Sequence, residues 1–460
     1  MRAFDYREYR PIWTVTLSPV IFSRDERSLT ELLPGDDQDD RVSNKFDSEE
    51  NSMLTLAAST FALSPFAPAG GMRTASSARP AVFRMQVSAP PKDELKGAGD
   101  KSSFDTSIDE IPKCPITQWN SDNIDMTELK KPRRTVPIEI RHDAASGMSE
   151  SESLAAQREA ILAQLEKGGA IWFRGFELMK SKEGFQQFYD QLELKPCQDP
   201  LASVGARAVV SKKGAMYEAV NKPSRAKFFV GMHNESTFKR TNRLGAFVCF
   251  KAADKGGEFL LADGQAVLAD LDKEVLGRLY DKGVRFSNAE LPIFDFLRSA
   301  GPLKEPLMPV FKAVGEFAVA QKIDMELELK WAENDKDGLR LQAFSPAQSA
   351  VNRHPTTGEP AFFCNVHSHS RYLRDTRDAA VEGGLGETTG ASKFNVTDMF
   401  YGDGSEIPVA DLEHINEVIM KNLVYVPMTE GDVVLVDNYQ VMHGRDVFEG
   451  ERLHAVTWFQ

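Results

Sequence analysis

Apolar residues fall mostly into short runs of strand length along this chain. Val433-Val434-Leu435-Val436 is unbroken and is closed by the turn-forming pair Asp437-Asn438. Leu244 to Phe250 reads as a second strand, Ala170 to Phe176 as a third broken at Gly175, and Ala361 to Cys364 as a fourth behind the turn Thr356-Thr357-Gly358. Lys255-Gly256-Gly257 turns the chain into a further run, Glu258 to Ala262. Helical spacing is rarer. Between Ser149 and Lys167, Leu154, Ile161, Leu162 and Leu165 recur near a 3.6 period. Ser149 with Glu152 forms a capping box there, and Gly168-Gly169 supplies the stop. Val267 to Tyr280 is also helical in pattern. Residues 300–340 are rich in helix formers and are expected to cover one edge of the sheet. Short strands, long connections and a helical cover predict a mixed α/β chain with a mainly β core. The expected form is a jelly-roll, or double-stranded β-helix, with helical insertions covering one side. No GxGxxG, Walker A sequence or internal repeat supports a nucleotide-binding or repeat architecture.

Composition narrows the function classes. The 460 residues are 42% hydrophobic and 27% charged, ordinary for a globular chain, and the net charge of −13 argues against nucleic acid or an anionic membrane as the main partner. No uncharged apolar run reaches the roughly 18–20 residues that span a bilayer. Cys114, Cys197, Cys249 and Cys364 form no CxxC pair and read as thiols of a reducing compartment. Residues 1–52 are polar and aperiodic, a disordered or gene-model extension if translation begins at Met53. Residues 53–92 contain no Asp or Glu, are rich in Ala, Ser and Pro, and carry Arg73, Arg79 and Arg84. That is transit-segment composition and predicts plastid localisation, with the cytoplasm as the alternative. A linker over 93–110 precedes the expected catalytic domain at 111–460. The partner expected is a small-molecule substrate; nothing in the sequence specifies oligomeric state.

The candidate chemistry sits in Met232-His233-Asn234-Glu235. On an extended strand, residues i and i+2 share a side, so His233 and Glu235 can reach one metal while Asn234 faces away. The pair supplies two ligands only. His443, just beyond the run that ends at Asn438, is the best third. Any one of these histidines taken alone is more ordinarily a hydrogen-bonded core or surface residue. Two imidazoles and a carboxylate together can hold a divalent iron on one face and leave the other open to dioxygen.

Four blocks then carry a resemblance: Gly169 to Phe176; His233-Asn234-Glu235 with Lys255 to Glu258 and Ala262-Asp263; Arg353 to Pro360; and Gly431 to Asn438 with His443-Gly444-Arg445 and Phe448 to Gly450. From about Trp119 onward the chain resembles the taurine-dioxygenase-like (TauD/TfdA) iron(II)/2-oxoglutarate oxygenases, with a closer likeness to amino-acid-type hydroxylases. The resemblance implies a jelly-roll with Fe(II) at its mouth, 2-oxoglutarate as cosubstrate and dioxygen as oxidant. It implies decarboxylation of 2-oxoglutarate to succinate with oxidation, chiefly hydroxylation, of a small polar substrate such as an amino-acid derivative. His233, Glu235 and His443 fall on the family's ligand positions. Arg452 falls where the family grips the far carboxylate of the cosubstrate, and Arg445 is its rival. Asn365, His367 and His369, taken as one strand, would face the substrate together. Tyr217, Glu218 and Asn221 would border it.

Departures from the family pattern matter as well. Phe259 stands where many relatives place a Thr that helps hold 2-oxoglutarate; His454, beside Ala455 and Val456, could replace part of the polarity lost with a second Arg there, or simply face solvent. Ala455 and Val456 stand where the taurine enzyme has a second Arg, which removes support for a sulfonate substrate. Glu235 argues against the related halogenases. Two alternatives remain: a non-catalytic jelly-roll binding module, motivated by Phe259, and a zinc hydrolase using the same triad.

Overall fold

Strand alternation sorts the core into three layers of side chains. In Val433–Asp437, Val433 and Leu435 face one way and Val434 and Val436 the other. Ala170–Phe173 splits in the same manner, with Ile171 and Phe173 opposite Ala170 and Trp172. In Phe259–Asp263, Phe259 and Leu261 oppose Leu260 and Ala262. A strand apolar on both faces is stable only when both faces are covered.

The computed structural model describes residues 14–16, 121–130, 137–199, 207–219, 221, 226–236, 241–291, 304–322, 327–331, 341–380 and 398–460. The segments 1–52, 53–92 and 93–110 lie outside the described residues, apart from a strand at Thr14–Thr16.

A nine-stranded sheet has the order Thr14–Thr16, Ile138–Arg141, Ala170–Phe173, Val433–Asp437, Leu244–Lys251, Leu453–Phe459, Met216–Glu218, Val209–Ser211, with Pro196–Cys197 also paired to Leu453–Phe459. A four-stranded antiparallel sheet has the order Val424–Val426, Phe259–Asp263, Val441–Arg445, Val230–His233. The two face each other: Phe247, Val434, Val456 and Trp458 of the first meet Phe259, Leu261, Val426 and Val441 of the second. Each such side chain, once buried, contributes about 1.5–3 kcal/mol.

Helices cover the outer face of both sheets, not of one as the sequence pattern suggested. Glu150–Ala156, Arg158–Gly168 and Lys182–Gln191 pack Leu154, Ile161, Leu165, Phe185 and Phe188 against the large sheet. Gly264–Asp270, Lys273–Lys282 and Val409–Lys421 pack Val267, Leu276, Leu279 and Ile415 against the small one. The reason is the alternation itself, which leaves no polar outer face in the central strands.

Local signals act as read, with shifted boundaries. Ser149 and Glu152 form the reciprocal capping box, but the helix is interrupted at Gln157 and ends at Gly169, whose φ of 75° suits glycine. The region expected as one helix over Val267–Tyr280 is two, because Asp272 caps a second start. A third sheet, ordered Glu328–Trp331, Leu341–Phe344, Val284–Leu291, Asp398–Tyr401, lies in the later insertion. The helix Lys304–Lys322 is tied to its edge strand by Trp331 Nε1 donating to Glu316 Oε1 (2.7 Å), and exposes Leu307, Val310 and Phe317.

Candidate active site

His233 ends its strand directly opposite His443 on the neighbouring strand, and His443 is flanked on its other side by Leu261. The two imidazole centroids lie 4.5 Å apart. Glu235 lies past the strand end, so its approach is set by the irregular segment there and its bonds to Asn438, not by strand alternation. The potential ligand atoms of His233, Glu235 and His443 nonetheless lie within 4.8 Å of one another. Among the described residues they form the one such cluster of His, Cys, Asp or Glu.

Hydrogen bonds from remote segments fix the Glu235 segment. Asn438 Oδ1 accepts from the Glu235 amide (2.8 Å), while its Nδ2 donates to the carbonyls of Glu235 and Asn242 (2.9 Å each). Asn234, which faces away from the cluster, donates through Nδ2 to the Asn438 carbonyl (2.7 Å), and its amide donates to Asn365 Oδ1 (3.1 Å). His233 Nδ1 lies 2.8 Å from the Gly231 carbonyl, which assigns the proton to Nδ1 and leaves Nε2 with a lone pair. His443 is wedged among Phe259 (6.1 Å, nearly parallel), Phe247 (4.9 Å) and Trp458 (5.9 Å), and its buried Nδ1 has no hydrogen-bond partner among the described residues. Gly444 beside it is required by space: a Cβ there would lie 2.5 Å from the Val230 carbonyl oxygen.

Burial holds both imidazoles neutral. His443 is pushed well below its usual pKa by desolvation, then by the neighbouring His233 and Arg207. His233 is lowered for the same first reason, against an opposing pull from Glu235. Two neutral nitrogens and a carboxylate are the donor set that a divalent first-row cation takes. Arg207, which the sequence reading did not single out, donates from Nη2 to Glu235 Oε2 (2.6 Å) and from Nη1 to Asp199 Oδ2 (2.5 Å).

Arg452 is 4% exposed. Its donors meet the carbonyls of Ala219 (2.9 Å) and Gly257 (3.3 Å) and the side-chain oxygen of Asn221 (3.1 Å). No carboxylate among the described residues pairs with it, and burial pushes its pKa down to about 10. Gly257 has φ of 74°, and a Cβ there would crowd Arg452 Cδ at 3.3 Å. Arg445 donates to the carbonyls of Asp446 (3.0 Å) and Phe228 (2.8 Å) and lies over the Phe448 ring. Phe259 belongs to the layer between the sheets.

The expected substrate strand is not one. Val366–His369 is a short helix with Asn365 at its N-cap position, so Asn365, His367 and His369 do not share a strand face. His367 Nδ1 accepts from the Met232 amide (2.9 Å) and its Nε2 meets Asn416 Oδ1 (3.1 Å), which braces the strand carrying His233 from behind. His369 bonds Ser368. Val366 is fully buried in the core beside the small sheet, and His367 is turned toward Met232 and Asn416. Tyr217 is buried in the inter-sheet layer, and Asn221 clasps the main chain of His454 as well as Arg452.

The family model described as "Taurine catabolism dioxygenase TauD, TfdA family" matches residues 139–458. The dapdiamide synthesis protein DdaC of Enterobacter agglomerans is 28% identical over 298 residues, covering 64% of this chain and 82% of its own. A clavaminate synthase-like protein of Arabidopsis thaliana is 22% identical over 337 residues, covering 70% and 90%. Among solved structures, PvcB of Pseudomonas aeruginosa superposes with a TM-score of 0.41 at 14% identity, covering 72% of this chain and 88% of that one.

Proposed function

The chain belongs to the taurine catabolism dioxygenase TauD, TfdA family, and from that premise we propose that it hydroxylates a small polar substrate, an amino-acid derivative in the first instance. It is an oxidoreductase of the dioxygenase class whose cofactor is Fe(II), with 2-oxoglutarate and dioxygen as cosubstrates. The carrying observation is the convergence of His233, Glu235 and His443 within 4.8 Å. These three would hold the iron. When bound, the iron supplies oxygen activation coupled to decarboxylation of 2-oxoglutarate to succinate.

The chain's own side chains do the rest. Asn438 fixes the Glu235 main chain from both sides, so the carboxylate is oriented before metal arrives. Phe247, Phe259 and Trp458 wall the His443 ring and exclude water from it. Arg452 offers a buried cation lacking a carboxylate, which suits the far end of a keto-diacid. Arg445, bonded to main-chain carbonyls and stacked on Phe448, suits the role of holding the loop between the two sheets. We read the facing sheets as a distorted double-stranded β-helix with this cluster at its mouth. The similarity to a protein named for dapdiamide synthesis supports a biosynthetic substrate of small size.

The test is an anaerobic titration of metal-free protein with Fe(II), then 2-oxoglutarate. The expected result is a visible charge-transfer band and, once air is admitted, succinate. Mass spectrometry of a small-molecule extract incubated with the enzyme should show a product heavier by one oxygen. His233→Ala or Glu235→Ala should abolish all three signals. Unaltered turnover in either variant would refute the reading.

A further inference from the structure

We propose that Arg207 is a positioning residue that reserves Oε2 of Glu235, so that the carboxylate meets the metal through Oε1 alone. This rests on the reading under Proposed function. Arg207 is 15% exposed and its fork spans two buried carboxylates, Glu235 Oε2 at 2.6 Å and Asp199 Oδ2 at 2.5 Å. The same Asp199 oxygen also accepts from Trp458 Nε1 (3.3 Å). The guanidinium lies over the Trp458 ring at 5.5 Å, and Trp458 in turn adjoins His443 at 5.9 Å. A chain of contacts thus runs from one candidate ligand, through Arg207, Asp199 and Trp458, to another. Glu235 Oε1 carries no hydrogen bond among the described residues.

Two imidazoles and one carboxylate oxygen would leave a bound metal open to a chelating keto-acid and to dioxygen. A second oxygen from Glu235 would compete with them. A short charge-assisted bond to Oε2 opposes that second contact. Both arms of the Arg207 fork are already engaged, by Glu235 Oε2 and Asp199 Oδ2, which argues against a role as anchor for an anionic substrate.

Two variants separate positioning from charge. Arg207→Lys keeps the charge but loses the fork; Arg207→Met loses both. Each metal-free variant is first matched to wild type by circular dichroism and melting temperature, and Asp199→Asn, which loosens Arg207 from its far side, provides an independent arm. We expect Fe(II) affinity of the metal-free protein to rise in both Arg207 variants, because Oε2 becomes free to act as a further donor. The visible band of the Fe(II)–2-oxoglutarate complex should move off its wild-type wavelength, with a smaller move in Asp199→Asn. Wild-type behaviour in Arg207→Lys with tighter metal binding in Arg207→Met would reduce Arg207 to a repelling charge and overturn the assignment. Unchanged affinity and band with a raised substrate KM would overturn it in favour of a substrate anchor. A wild-type protein that binds no Fe(II) would instead overturn the functional reading, and this assignment with it.

Discussion

The two ends of the candidate site are built in opposite ways. At the His233–Glu235–His443 end, side-chain amides from remote segments fix the main chain, and Arg207 bridges two carboxylates, Asp199 and Glu235. At the Arg452 end a buried guanidinium is held by the carbonyls of Ala219 and Gly257 and by Asn221, with no carboxylate to balance it. Carbonyl dipoles satisfy its donors but do not cancel its charge, which is why burial lowers its pKa to about 10. Under the proposed reading, one end would take a metal and the other the far carboxylate of the keto-diacid.

If the ends are independent, each can be removed without the other. Arg452→Met should show the largest effect. Truncating one partner of a buried charge pair costs about 2–5 kcal/mol, so 2-oxoglutarate affinity should fall by at least about thirtyfold. Fe(II) affinity, measured by titration without 2-oxoglutarate, should stay within about twofold. A matching loss of Fe(II) binding would mean that the two ends form one cooperative unit and would end the comparison.

Asn438→Ala probes the other end and should have the next largest effect. It removes the acceptor for the Glu235 amide and the donor for two buried carbonyls, at Glu235 and Asn242. Loss of groups that orient a ligand commonly weakens metal binding about 10–100-fold. The orphaned buried groups should also lower stability by about 2–4 kcal/mol in urea unfolding. Affinity for 2-oxoglutarate, taken at saturating Fe(II), should change far less. Undiminished Fe(II) binding in this variant would show that Glu235 is positioned by the strand alone.

The same contrast governs what could be read from the sequence. The strands were legible because apolar runs such as Val433–Val436 and Leu244–Phe250 are buried on both faces and so carry their signal locally. His233, Glu235 and His443 were legible because ligand chemistry restricts residue type and spacing. Asn438 was visible only as the end of a strand; its clamp on Glu235 joins positions 203 apart. Arg207 and Asp199 sit among residues with no pattern, and their roles exist only once the fold brings them to Glu235 and Trp458. The error at Asn365–His369 has a similar root. Alternating polar residues resembled a strand face, yet His367 is held by Met232 and Asn416 from elsewhere in the fold. A buried strand end carrying Asp437-Asn438, both 0% exposed, was the one local hint that polar groups there had interior partners.

The smallest effect tests the Arg452 end through pH. His454 is 2% exposed, its Nδ1 has no hydrogen-bond partner among the described residues, and its pKa is held well below the usual value by burial, then by the charges of Arg452 and Arg445. In the folded protein it therefore stays neutral at a pH where the unfolded chain, with an ordinary value of about 6.5, takes up a proton. The unfolded state binds more protons throughout that window, so stability rises with pH there and is lost as pH falls below about 6.5. One such group contributes a slope of at most about 1.4 kcal/mol per pH unit. His233 and His443 at the other end add slopes of the same sign in metal-free protein. Urea unfolding between about pH 7.5 and about pH 5.5, in wild type and His454→Gln, isolates the first contribution. The variant should lose about one group's worth of slope. Fe(II), which competes with protons for His233 and His443 only, should alter the slope of wild type and variant by equal amounts. A variant slope equal to that of wild type would mean that His454 is not buried neutral beside Arg452, and the Arg452 end would then be more open to water than its hydrogen bonds imply.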